Sequence, residues 1–171
     1  MGGGWWVVGG GWWVVLWDEV KGLQGEFGVF SKIVEVEAMK LPLVNRLYKA
    51  HYPAGKAKSD ELVIAGYIGT EIAAVVRFRS IGEYRLLTGM LVVPSQRGQG
   101  LGHELLEYCQ KHILGPHDYC FAYPHLEAFY AQHGFTTLDK SALPNDVKNL
   151  FERYVRGKPQ LVAMGNLEAS S

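Results

Sequence analysis

The chain has 171 residues, and its 17 basic and 17 acidic side chains give a formal net charge of zero at pH 7. This length suits one domain with a sizeable core, and the charge balance argues against a strongly basic nucleic-acid-binding surface. The two cysteines are too few for a disulfide framework and favour a reducing compartment. We therefore expect a cytoplasmic domain with no nucleic-acid partner.

The N-terminal segment contains a tandem repeat. The sequence GGGWWVV fills residues 2–8 and again residues 9–15. The uncharged run over residues 1–17 is shorter than the ~20 residues that span a bilayer, its six glycines disfavour a helix, and it lacks the basic segment of a signal peptide. We interpret residues 1–30 as an extension, either extraneous or packed on the domain as a β-ribbon, with residues 31–171 as the domain and no membrane partner.

The first half of the domain predicts a strand, a helix and a three-stranded meander. Residues 32–37 alternate apolar and charged side chains, as a half-buried strand does, and residues 43–51 place apolar side chains at helical spacing. Three strand candidates follow at residues 61–68, 71–78 and 85–93.

Three glycines mark turns and an irregularity in this meander. Gly69 and Thr70 suit a two-residue hairpin turn, and Gly82 marks a second turn. Gly89 lies inside the third strand candidate, which predicts a bulge or a close backbone approach there.

The second half of the domain continues the alternation. Helices are predicted over residues 100–113, 126–133 and 145–156, and strands over residues 118–123, 135–138 and 161–164. This order of elements favours an α/β (α+β) fold with a mixed sheet over a doubly wound parallel sheet.

A glycine-rich turn joins the third strand of the meander to the following helix. It consists of Arg97, Gly98, Gln99, Gly100, Leu101 and Gly102. Backbone N–H groups are unpaired at a helix N-terminus, where the helix dipole is positive, so such a turn attracts phosphate. The turn is not a dinucleotide fingerprint because His103 stands where a third small residue is needed, and no Lys-Ser/Thr pair follows to make a P-loop. The turn therefore predicts an anionic ligand.

Two motifs resemble those of the GNAT family of acyl-CoA-dependent N-acetyltransferases. The turn matches the family pattern R/Q-x-x-G-x-G/A at Arg97, Gly100 and Gly102. Downstream, the segment FYAQHGF over residues 129–135 is similar to the family's F-Y-x-x-x-G-F. The resemblance covers roughly residues 31–165. It implies a mixed, mostly antiparallel central sheet with splayed fourth and fifth strands, flanked by helices.

The resemblance implies acetyl-CoA as co-substrate, with no metal. The pantetheine arm would pair with the fourth strand, and the diphosphate would lie on the amides of the turn. The cofactor-binding residues that it implies are Leu91, Val92, Val93, Arg97, Gly98, Gln99, Gly100, Leu101, Gly102, Phe129 and Tyr130.

The implied reaction is direct attack of a primary amine on the thioester. Tyr130 matches the tyrosine that acts as general acid in the family, and the backbone N–H of Val92 is the candidate oxyanion donor. Glu83 is the candidate general base, acting through a water, with His51 and His125 as rivals.

One position departs from the family pattern. Tyr123 stands where many members carry an asparagine, seven residues before the motif tyrosine. This departure leaves a second hypothesis open, in which the chain is a catalytically silent acyl-CoA-binding or sensing module on the same fold.

The acceptor is expected to be a small-molecule amine or an amine of a peptide or protein. Lys56 and Lys58 hint at an acidic group on it, although a solvated loop is the default interpretation. Arg77 and Arg79 share one face of a predicted strand and are by default solvated, with a substrate contact as the alternative. The resemblance is also compatible with a homodimer.

A metal site is not expected from the cysteines. Cys109 and His112 form one pair at zinc-like spacing, and His117 and Cys120 form another, but only four residues separate the pairs. Zinc-finger patterns place roughly a dozen residues there.

Overall fold

The computed structural model describes residues 28–53 and 55–166, so the GGGWWVV repeat lies outside the described residues. The strands are Lys32–Glu35 (β1), Leu62–Ile68 (β2), Glu71–Ile81 (β3), Tyr84–Val92 (β4), Asp118–Ala122 (β5), Phe135–Leu138 (β6) and Val162–Asn166 (β7). The α-helices are Leu41–His51 (α1), Leu101–His112 (α2), Glu127–Ala131 (α3) and Asn145–Gly157 (α4). This succession confirms the predicted order of strands and helices.

The strands form one seven-stranded sheet in the order β1-β2-β3-β4-β5-β7-β6. Neighbouring strands of the described chain pair antiparallel, except that β4 and β5 pair in parallel. The sheet is therefore mixed and mostly antiparallel, as predicted. None of the helices in the described part of the chain combines the length and the apolar character needed to cross a bilayer.

The helices cover both faces of the sheet. Because successive strand residues point to opposite faces, Leu87 and Cys120 pack in the cluster that contains the apolar face of α2, whereas Leu86 and Phe121 pack in a second cluster with α4. The buried side chains of α2 include Leu105 and Cys109.

The predicted bulge lies in β4. Val75 pairs with Leu91 and Arg77 pairs with Thr88, so β4 has one residue more than β3 between these two pairs. Gly89 lies in this interval with φ of 61°, in the left-handed region that favours glycine. The bulge prediction is therefore confirmed, and a bulge bends the strand that carries it.

Strands β4 and β5 separate immediately before this bulge. Their pairing runs from Arg85 and Asp118 to Leu87 and Cys120, and residues 88–92 of β4 have no partner on β5. The Arg85 guanidinium fixes the paired end through two hydrogen bonds of 2.7 and 2.8 Å to the Asp118 carboxylate. The bulge bends β4 where the pairing stops, which explains the predicted splay and leaves a gap between the two strands.

A histidine pair joins α2 to the end of α3. His103 Nδ1 lies 3.0 Å from His133 Nε2, and His133 is 5% exposed. Burial, followed by the nearby His103, lowers the pKa of His133 from 6.5 to about 4. The folded protein therefore favours the neutral imidazole of His133.

The free energy of unfolding is expected to fall as the pH drops from about 6.5 to about 4. In this window the unfolded chain protonates His133 and the folded chain does not, so acid favours unfolding, by roughly 3 kcal/mol over the whole window. Urea unfolding at a series of pH values measures this slope. The variant His133→Gln, neutral at every pH, should show a shallower slope, and an unchanged slope would contradict the assignment to His133.

Candidate active site

The gap between β4 and β5 presents backbone polar groups of β4. The Val93 N–H donates to the Ala73 carbonyl at 2.8 Å, so that pair is hydrogen-bonded across β3 and β4. Hydrogen-bonded and non-hydrogen-bonded pairs alternate along an antiparallel ladder, so the next pair, Val92 and Ala74, is not hydrogen-bonded. The N–H and carbonyl of Val92 therefore point away from β3 into the gap. Of the three predicted backbone positions, Val92 thus faces the gap, while Leu91 and Val93 bond toward β3.

The glycine-rich turn lies just beyond the gap. Gly98 and Gly100 have φ of 85° and 74°, and Gly100 is the N-cap residue of α2. No side chain among the described residues caps this helix, and the carboxylate of Glu104 in its first turn accepts from the N–H groups of Val29 and Phe30 instead, at 2.7 and 3.1 Å. The first-turn amides of an α-helix have no intrahelical acceptor, so this end of α2 suits an anion.

Arg97 connects the turn to the gap. Its Nε donates to the Val92 carbonyl at 3.1 Å. Partial burial lowers the pKa of the Arg97 guanidinium from its usual value, although an arginine remains charged at neutral pH. This hydrogen bond ties the turn to the edge of β4 that has no partner on β5.

Tyr130 lies at the end of the gap where the strands separate. It is fully buried on α3 and packs edge-on against Phe129 and Phe135, with ring centroids 5.2 and 5.8 Å away. Burial raises the pKa of the Tyr130 phenol well above its usual value, and the nearby thiol of Cys120 adds to the rise. Cys120 is the last β5 residue paired with β4, so Tyr130 sits beside the point of separation as a neutral phenol.

The three candidate bases are exposed. Glu83 is exposed in the turn between β3 and β4, five residues before Thr88 along an extended strand, which is about 17 Å. His51 is exposed at the end of α1. His125 is exposed and stacks on Tyr123, with ring centroids 6.0 Å apart. The paired residues of β4 therefore separate Glu83 from the gap, and Tyr123 stacks on His125.

The bulge is held from the α1 side by Tyr48 and Arg77. The hydroxyl of Tyr48 donates to the Gly89 carbonyl. Arg77 lies over the Tyr48 ring, and its Nη1 donates to Glu61 Oε1 at 3.0 Å and to the Lys56 carbonyl at 2.6 Å. A Cβ on Gly89 would lie 2.5 Å from Arg77 Nε. Glycine is thus required here both by its backbone angle and by the arginine that covers it.

Removing the hydroxyl of Tyr48 should destabilise the fold. Tyr48 is fully buried, so Tyr48→Phe leaves the Gly89 carbonyl without its donor, and we expect a loss of about 1–3 kcal/mol in the free energy of unfolding. Urea denaturation measures the loss. Tyr52→Phe is the matched control, because Tyr52 is also buried and its hydroxyl makes no hydrogen bond to the described residues. Equal losses in the two variants would show that the bond to Gly89 contributes nothing.

A basic cleft opens beside the bulge. It has a volume of about 210 Å³ and is lined by Tyr52, Lys56, Lys58, Glu61, Arg77, Arg79, Thr88 and Tyr154. The two lysines and two arginines for which the sequence left a substrate contact open as an alternative to solvation therefore line one cavity. Thr88 is the first β4 residue beyond the pairing with β5, so the cleft adjoins the gap. No short motif in the sequence marks Tyr52, Thr88 or Tyr154.

The cysteines are structural. Cys109 and Cys120 are both buried, and burial raises the pKa of the Cys109 thiol to about 12. Among residues 28–53 and 55–166, no group of three or more His, Cys, Asp or Glu side chains could hold a metal ion.

Solved structures share this fold. The chain is similar to N-acetylglutamate synthase from Neisseria gonorrhoeae, complexed with coenzyme A and N-acetyl-glutamate, at 13% identity and a TM-score of 0.57 over 78% of this chain and 34% of that one. This chain thus spans about a third of the synthase. An acyl-CoA N-acyltransferase from Pseudomonas aeruginosa matches at 16% identity and 0.52, over 78% of this chain and 95% of that one. An Escherichia coli N-acetyltransferase for an alanine of a ribosomal protein matches at 16% identity and 0.51, over 78% and 90%.

The sequence itself carries the family assignment. No curated protein matches the chain in sequence. Residues 58–137, however, match the family model described as the acetyltransferase (GNAT) domain. This segment holds the bulge, the gap, the glycine-rich turn and Tyr130, which are the features described above. Residues 58–137 of this chain therefore correspond to the acetyltransferase (GNAT) domain.

Proposed function

We propose that the chain is an N-acetyltransferase that moves the acetyl group of acetyl-CoA to a primary amine by direct attack. The observation that carries the proposal is the gap between β4 and β5, into which Val92 directs its polar backbone groups. The gap leads to the N-terminus of α2, which no side chain of the described residues caps. A fold neighbour complexed with coenzyme A and N-acetyl-glutamate agrees with this proposal.

The residues of the gap and the turn fit an acyl-CoA thioester. Gly98 and Gly100 have left-handed backbone angles that favour glycine. Because glycine has no Cβ, nothing stands between the backbone of these residues and a phosphate oxygen. The helix dipole favours the negative charge of the phosphate. The diphosphate would rest on the amides of residues 97–102. The pantetheine arm would lie along residues 91–93, near Phe129 and Tyr130, and would use the edge of β4 as an added strand does.

The proposed reaction uses two groups of the protein, the Val92 N–H and the Tyr130 phenol. The amine lone pair attacks the thioester carbonyl carbon, and the Val92 N–H stabilises the negative charge that develops on the carbonyl oxygen. The C–S bond then breaks, and the departing thiolate takes the proton of Tyr130. A phenol with a raised pKa holds its proton at neutral pH until a thiolate forms close to it. The proton of the attacking amine passes to water, since the geometry does not favour Glu83 as the base.

The decisive experiment combines binding with turnover. Calorimetry with acetyl-CoA tests the gap and the turn, and thiol release over a panel of primary amines tests the transfer. We expect micromolar binding and amine-dependent release of coenzyme A. Binding without release for any amine would support the silent acyl-CoA-binding module, and absence of binding would overturn both functions.

A further inference from the structure

The basic cleft carries positive charge that its own residues do not neutralise. Four cationic side chains and one carboxylate line it. The carboxylate belongs to Glu61, which already accepts from Arg77 and from the Lys58 N–H at 2.8 Å. Among the described residues, the side chains of Lys56, Lys58 and Arg79 form no ion pair, so three cations remain for a ligand.

The geometry of Arg79 suits an anionic group. Within the described residues, its guanidinium makes one long hydrogen bond, from Nη1 to the Tyr154 hydroxyl at 3.4 Å. The rest of the planar fork stays available for a carboxylate, which guanidinium groups bind through two parallel bonds. Burial raises the pKa of Tyr52, on the wall of the cleft, to about 12, so its hydroxyl remains a neutral donor.

The cleft also adjoins the gap between β4 and β5. Thr88 is 6% exposed and lines the cleft, and its hydroxyl makes no hydrogen bond within the described part of the chain. The bulge at Gly89 follows it directly. An acceptor held by Arg79 could therefore reach toward the gap between β4 and β5 past Thr88, with its anionic end kept among the cations.

We infer that the basic cleft is the acceptor site and that the acceptor is a small amine carrying a carboxylate group, which Arg79, Lys56 and Lys58 bind. This inference rests on the proposed acetyl transfer. The volume of about 210 Å³ is below the ~300–1,000 Å³ of sites for drug-sized ligands, which favours a free amino acid or a molecule of similar size over a peptide chain.

The test compares amino acids with their own primary amides, which differ by one negative charge. For the wild type we expect kcat/KM for the acid to exceed that for the amide by about 10-fold or more. Arg79→Gln should lower the ratio of acid to amide about 10-fold and leave kcat/KM for the amide nearly unchanged. Arg153→Gln is the matched control, since Arg153 is exposed on α4 and does not line the cleft, and its ratio should equal that of the wild type.

Several outcomes would overturn the inference. One is equal use of acid and amide by the wild type, and another is an equal loss for both substrates in Arg79→Gln, which would indicate only a structural role for the arginine. A third is a preference for the acid over the amide that depends on Arg79 when the substrates are acidic peptides but not when they are free amino acids. That result would overturn the assignment of a small acceptor.

A binding measurement separates this inference from the proposed function. Titration of the amino acid into the coenzyme A-saturated protein needs no turnover. The inference is supported if the amino acid binds the wild type and binds about 10-fold more weakly to Arg79→Gln but not to Arg153→Gln. This holds even if no thiol is released, because a lack of release overturns only the proposed acetyl transfer. Transfer to neutral amines without any binding of carboxylates would overturn the inference and leave the acetyl transfer standing.

Discussion

Replacing Gly100 with alanine is expected to weaken acetyl-CoA binding about 100-fold, because the variant both strains the turn and obstructs the diphosphate. Gly100 has φ of 74°, where an L-residue with a Cβ is disfavoured by about 1–2 kcal/mol. In the proposed complex, the added methyl would also stand between the phosphate oxygens and the amides that begin α2. Hydrogen bonds to a charged group contribute roughly 1.5–3 kcal/mol each, so weakening one or two of them accounts for most of the loss. Calorimetry with acetyl-CoA measures it directly.

A second glycine separates backbone strain from ligand contact. Gly69 has φ of 64° in the hairpin turn between β2 and β3, and a Cβ there would meet no other group within 4 Å. Gly69→Ala thus imposes a similar strain outside the proposed site. We expect it to lower the free energy of unfolding by about 1 kcal/mol and to leave acetyl-CoA affinity unchanged. If Gly69→Ala weakens binding as much as Gly100→Ala does, the turn has no special part in binding.

The order of elements was predictable because each carries a local pattern. Alternation marks β1, helical spacing marks α2, and glycine positions mark the hairpins and the bulge. Gly89 is informative in a single sequence because a strand interior tolerates glycine poorly unless the backbone needs it. The structure supplies the reason, namely a left-handed angle and an arginine packed where a Cβ would be.

The composition of the basic cleft could not be predicted in the same way. Its residues come from the segment after α1, from β3, from β4 and from α4, and only the tertiary fold brings these segments together. The sequence marked Lys56 and Arg79 as charges that could be solvated or could contact a substrate. The local sequence does not distinguish a solvated charge from a charge that contacts a substrate. The distinction depends on whether another charged segment of the chain lines the same cavity.

The opposite case is the candidate base Glu83, which stays a prediction. Glu83 precedes the fourth strand in sequence, which suggests proximity to its chemistry. A strand extends about 3.3 Å per residue, however, and the paired residues of β4 lie between Glu83 and the gap. Nearness in sequence to a reactive strand therefore says little about nearness to its reactive end.

Replacing Tyr130 with phenylalanine is expected to lower kcat by about 10²–10⁴-fold, the usual contribution of a general acid. The phenylalanine ring keeps the packing against Phe129 and Phe135, so the fold and the affinity for acetyl-CoA should change little. Without the phenol, the departing thiolate must take its proton from water, which is a weaker acid than a phenol and is not held in place by the protein. Steady-state thiol release gives kcat, and calorimetry gives the dissociation constant of acetyl-CoA.

Tyr119→Phe is the matched control for this loss. Tyr119 is 6% exposed on β5, next to Cys120, and belongs to the cluster on the α4 face, whereas Tyr130 belongs to the cluster that contains α2. Both variants remove a hydroxyl from a buried ring close to the paired end of β4 and β5. Of the two, only Tyr130 lies on the α2 face of the sheet, where the proposed reaction has the thioester sulfur. Full kcat in Tyr130→Phe would remove the assigned acid. A large loss of acetyl-CoA affinity with kcat retained at saturation would make Tyr130 a binding residue, because a proton donor used only in the transition state changes kcat without changing the ground-state complex.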